Sequence, residues 1–134
     1  MDKKTYLQKA KIQYEAALCL FKNGYINDAI SRLYYSFRSL CVHIVGKPEK
    51  GKWKHYSLMK KVIIIVDNYD KNILSRKDRE LIKNFPNLRE TADYDLLEIP
   101  KEKFNIYLEV VDKFFRFMEK MELEDENFRN DNQT

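Results

Sequence analysis

The chain has 134 residues, 44% of them hydrophobic and 34% charged, with only three Gly and three Pro. That length holds one domain with one core and needs no disulfide or metal staple. The scarcity of turn residues excludes a turn-rich β fold and points to an all-α one. Net charge is +4, but residues 122–134 carry five acids against Arg129, which leaves +8 on residues 1–121.

The first predicted helix spans Tyr6 to Lys22, where Leu7, Ala10, Tyr14, Ala17, Leu18 and Phe21 recur at helical spacing. Asn23-Gly24 supplies its stop. Asn27 is placed to cap a second helix that runs to about Val45, with Ile30, Leu33, Tyr34, Phe37, Cys41 and Ile44 as its apolar stripe. At 100° per residue its opposite side carries Arg32, Tyr35, Ser36, Ser39 and His43, a polar but aromatic face. That face suits solvent, a cleft or a dimer seam. Arg38 and His43 lie about 140° apart on the same helix, so they are poor candidates for a catalytic unit.

Residues 47–61, KPEKGKWKHYSLMKK, hold six Lys against one Glu. Such a segment is either a solvated loop or a phosphate-attracting one. Within it His55 stands beside Trp53 and Tyr56, where an imidazole and aromatic rings could meet RNA phosphates and bases. A third helix follows through Leu58, Val62, Ile65, Val66 and Tyr69. SRKD at 75–78 then reads as a capping-box start for a short segment carrying Leu81, Ile82 and Phe85, which Pro86 should kink or end. Pro100 belongs in the first turn of a last helix with Phe104, Tyr107, Leu108, Val111, Phe114, Phe115 and Met118 on one wide apolar face. The acidic residues 122–134 lack apolar periodicity and are expected to be disordered.

Short connections between successive helices favour an up-and-down bundle of four main helices plus a short extra one. Residues 14–35 have the spacing of one tetratricopeptide hairpin, but nothing similar recurs about 34 residues later, and one hairpin makes no solenoid. The N-terminus lacks an apolar leader core, and VIIIV at 62–66 is too short to span a bilayer. A cytoplasmic protein without membrane contact is therefore expected. Cys19 and Cys41 have no metal-ligand spacing and are expected to pack as small apolar side chains in a reducing compartment. Walker, GxGxxG, GxSxG, HExxH and zinc-ligand motifs are all missing.

Three pieces remain: AISRLYYSF at 29–37, KHYSLMKKV at 54–62 and LRETADYD at 88–95. In this order they resemble the HEPN family, specifically its small stand-alone members, over about residues 5–120. The matching positions are Ala29, Ser31, Arg32, Tyr34, Tyr35, His55, Ser57, Arg89, Ala92, Asp93 and Tyr94. The resemblance implies a HEPN-like helical domain over 1–121, a homodimer, and a minimal nucleotidyltransferase as partner in a toxin and antitoxin pair. Many such proteins are metal-independent ribonucleases, so no cofactor is implied. Their signature is an Arg followed four to six residues later by a His, and here no His follows Arg89. The resemblance leaves Arg89 to hold phosphate, with Asp93 and Tyr94 as the remaining catalytic candidates. Arg32, Tyr35, Lys52, Lys54 and His55 would line a site for RNA or a nucleotide. The alternative is a non-catalytic dimeric module that docks a partner protein.

Overall fold

The computed structural model describes residues 3–132, with side chains from 5 to 127. These residues form an all-helical bundle of α1 (Lys3–Lys22), α2 (Ile26–Val45), α3 (His55–Tyr69), α4 (Arg76–Tyr94) and α5 (Lys101–Asn132). The α2 helix is the hub and packs on each of the other four. Among the described residues no helix is long and apolar enough to cross a membrane.

Local chemistry sets most of the boundaries. The α1 helix ends in a Schellman arrangement. Tyr25 N–H bonds to Leu20 O at 2.9 Å and Gly24 N–H to Phe21 O at 3.1 Å, with Gly24 at a φ of 85° that an L side chain rarely adopts. The expected capping box is present: Ser75 Oγ accepts from Asp78 N–H at 3.0 Å while Asp78 Oδ2 accepts from Ser75 N–H at 2.9 Å. Asn27 does something other than cap. The helix already starts at Ile26, and the Asn27 amide instead holds the α4–α5 loop, donating to Leu97 O and accepting from Ile99 N–H.

The bundle departs from the sequence-based expectation at three further places. Pro86 does not end α4. It removes one N–H donor, and the helix continues because its cap holds one end while Leu88 and Ala92 pack at the other. The expected short extra helix is therefore 19 residues long. The polar face of α2 is divided, since Arg32 and Tyr35 are exposed whereas α1 covers Ser36 and Ser39. Ser36 Oγ donates to Ala10 O at 2.7 Å and Ser39 Oγ to Gln13 Oε1 at 3.0 Å, so their hydroxyls are satisfied inside the α1–α2 seam. Finally, α5 runs through the acidic segment to Asn132, with residues 122–127 exposed. Glu122 there meets His43 at 3.2 Å, and Glu124 accepts a hydrogen bond from Tyr69. Residues 133–134 lie outside the described residues.

The core is aromatic where α2, α4 and α5 meet. Phe37 stacks on Phe85 and meets Phe114 edge-on, and Phe85 in turn touches Tyr34 and Tyr107. Each such ring is fully or almost fully buried, a burial that stabilises by about 2 to 3 kcal/mol per side chain. Cys41 packs in this core as expected, whereas Cys19 is exposed.

Candidate functional site

Tyr34 sits on the apolar stripe of α2 and is fully buried, yet its hydroxyl needs a partner. The partner is His55, the first residue of α3, whose Nδ1 is in a short hydrogen bond with Tyr34 Oη. Because α3 begins three residues before Leu58, His55 belongs to a helix start and not to the basic loop. From α4, the Arg89 guanidinium lies 5.7 Å from the centre of the Tyr34 ring and 5.9 Å from that of Tyr35. Arg38, one turn beyond Tyr34 on α2, donates through Nη2 to Trp53 O at 2.9 Å. Three helices thus bring two guanidiniums and an imidazole around one phenol.

The charge in this cluster is unbalanced. Asp93 accepts from Arg89 Nη1 at 3.1 Å, one turn along α4. Among the described residues, Arg89 Nε and Arg38 Nη1 are buried donors with no acceptor, a condition few buried polar groups tolerate. Burial pushes the Tyr34 phenol up to about 12 against the opposing pull of Arg38 and Arg89, so it stays protonated. Burial, then Arg38 and Arg89, hold the His55 imidazole below its usual 6.5, so it is neutral at pH 7. Burial pulls the Arg89 guanidinium down, but its bond to Asp93 and the two tyrosines raise it overall, and it stays charged. Tyr34 as the donor to Nδ1 is the arrangement that satisfies its buried hydroxyl proton, and it places the proton of the neutral ring on Nε2.

His55 and Arg89 open onto a cleft of about 500 Å³ between α3 and α4. One wall is apolar, made by Met59, Ile63, Ile64 and the ring of Pro86. Its rim carries Tyr56, Lys60 and Lys83, with Glu90 as the one acid. An anionic group at the Arg89 end joined to a flat, weakly polar body fits that division.

The predicted site residues divide accordingly. Arg89, Asp93, Tyr35 and His55 come together. Tyr94 does not line the cleft; it is the last residue of α4 and 75% exposed. Arg32 is exposed and lines a different groove with Asp28 and Tyr35, Lys52 lines a further cavity, and Lys54 is the exposed residue just before α3. Two members were not foreseen. Tyr34 read as core, and Arg38 was weighed only against His43, which pairs instead with Glu122. The usable signal was the i, i+4 relation of Tyr34 and Arg38, which puts them on one side of α2.

Among the described residues no group of three or more His, Cys, Asp or Glu side chains could hold a metal ion. No protein-family model matches the chain, and no curated protein matches it.

Proposed function

We propose that this chain is a HEPN-like domain that binds RNA or a nucleotide by its phosphate in the α3–α4 cleft, and that it acts beside a minimal nucleotidyltransferase. The observation that carries this reading is the convergence of Arg38, Arg89 and His55 on Tyr34 with a single carboxylate among them. A phosphate oxygen at the edge of Arg89 that lines the cleft would balance the positive charge that Asp93 leaves in excess. The neutral His55 would donate from Nε2 without the cost of a third buried cation.

Binding is the proposed activity, and cleavage adds a demand. Metal-independent RNA cleavage needs a base for the 2′-OH and an acid for the leaving oxygen. His55, with Nδ1 held by Tyr34, leaves only Nε2 free, and that nitrogen acts as a base when unprotonated or as an acid when the ring is cationic, never both at once. In a homodimer with facing clefts, cleavage would need one copy's His55 in the tautomer that donates from Nδ1 to Tyr34, as base, and the other's protonated, as acid. Asp93 is engaged by Arg89 and is a weaker candidate than His55 for proton transfer. A second reading, a dimeric docking module without catalysis, draws support from Leu96 and Leu97, which stand almost wholly exposed on the α4–α5 loop.

The discriminating experiment is anisotropy with a labelled single-stranded RNA between about 50 and 200 mM salt. The expected result is binding that weakens steeply with salt, falls at least about tenfold in Arg89→Ala, and is only partly restored in Arg89→Lys, which keeps the charge but loses the planar fork. Parent protein that binds neither RNA nor mononucleotide at low salt would sink this reading and leave the docking module.

A further inference from the structure

A second cavity, of about 550 Å³, lies on the other side of Tyr35 and Arg38, between α1, the C-terminal half of α2 and the loop before α3. Its cations are Lys9, Lys47, Lys52 and Arg38, and no acidic side chain lines it. Its aromatic surfaces include Tyr35 and the half-buried Trp53. The loop forming its outer wall is pinned at two points: Trp53 donates from its indole N–H to Gly46 O at 2.7 Å and accepts from Arg38 through its own carbonyl. The basic stretch 47–54 is thus held against the bundle as the side of a cavity.

Two residues connect this cavity to the Arg89 cleft. Tyr35 carries the Arg89 guanidinium over its ring and lines the second cavity with the same side chain. Arg38 faces Tyr34 and His55 electrostatically and also lines it. Neither residue lines the α3–α4 cleft, but Tyr35 adjoins its Arg89 and Arg38 acts on its His55, so the Tyr35–Arg38 ridge links two hollows that are both basic and both carry aromatic surfaces. A mononucleotide has one phosphate group and one base and can fill one of them. Cations without acids, interleaved with exposed ring faces, form the pattern that follows a single-stranded backbone and stacks its bases.

We infer that the Lys9–Lys47–Lys52 cavity is a second nucleotide subsite, so that the ligand is a single-stranded RNA long enough to cross the Tyr35–Arg38 ridge and not a free mononucleotide. This rests on the phosphate-binding reading of the Arg89 cleft. It assigns Lys9, Lys47 and Trp53 a role that the Arg89 cleft alone does not require, and it makes Arg38, which lines the second subsite and acts electrostatically on His55 in the first, the link between them.

The test compares UMP with oligouridylates of increasing length on the full chain, by competition against a labelled RNA. Affinity is expected to rise at least tenfold from UMP to a short oligomer, with a salt dependence steeper by about 0.7 per additional phosphate contact. The Lys9→Ala/Lys47→Ala/Lys52→Ala variant, altered only at exposed positions, should bind UMP like the parent but lose the gain with length. The corresponding triple Arg variant should keep it, and Arg89→Ala should weaken both ligands. Equal affinity for UMP and oligomers, with Arg89 still required, would overturn the second subsite and leave the first intact. A length-dependent gain that survives the triple Ala variant would overturn it as well, by placing the additional contacts elsewhere. If nothing binds in an Arg89-dependent way, the phosphate-binding reading fails and this inference fails with it.

Discussion

At the start of α4, Asp78 is buried and accepts from Ser75 N–H and from Lys113 Nζ at 2.6 Å, while Arg79 next to it makes a two-point bond to Asp67 at 2.5 and 2.7 Å. Ten residues further along the same helix, Arg89 has one carboxylate, a buried Nε with no acceptor, and Arg38 and His55 as electrostatic neighbours. Both ends carry comparable charge. The first end closes its charges on themselves, and the second leaves an excess of positive charge around a cleft. A fold gains little by keeping buried donors without acceptors, so the unbalanced end is where a ligand is expected.

That contrast can be broken or sharpened by mutation. The largest effect on stability should come from Asp78→Ala, which removes the capping box and leaves Lys113 without its partner, at a cost of about 2 to 3 kcal/mol. Urea midpoints would measure it, and RNA affinity should not change in the folded fraction. Asp78 is also held below the usual carboxylate range: burial pushes it up, but Lys113 and the Ser75 bonds prevail. Its stabilising contribution is therefore present above the usual carboxylate pKa and is lost as pH falls through the depressed value. Arg89→Ala should show the reverse pattern, with binding lost and stability changed by less than about 1 kcal/mol. A large stability loss with binding intact would make the two ends of α4 alike and remove the basis for the comparison.

His55 provides the next test. Its folded pKa lies below its usual 6.5, so on acidification the unfolded chain takes up the proton first. Stability is then retained above about pH 6.5 and declines as pH falls below it. His55→Gln should flatten that part of the pH profile, which subtraction from the parent would isolate from His43. Bound phosphate introduces the anion the site lacks, so RNA affinity should strengthen over the same fall in pH while stability drops. Parallel changes in both would argue against phosphate at His55. The smallest effect belongs to Asp67→Ala, which opens a partly exposed ion pair and should cost about 0.5 to 1 kcal/mol with no change in binding.

The sequence by itself determined the helices and most of their ends, because these depend on interactions within a few residues. Gly24 ends α1, Ser75 and Asp78 start α4, and the Phe104 to Met118 stripe faces the core. It also placed Arg89 and Asp93 together, since i and i+4 are neighbours on any helix. Tertiary structure decided everything that depends on which helix lies opposite. It turned Ser36 and Ser39 inward against α1, carried α4 through Pro86, and put Tyr34, Arg38 and His55 around Arg89 from two other helices. It also put the 47–54 loop against α2, where Lys47 and Lys52 line a cavity. No periodicity encodes such contacts: each helix specifies its own apolar face, but the partner that covers a neighbouring polar residue is set only when all the faces are buried together.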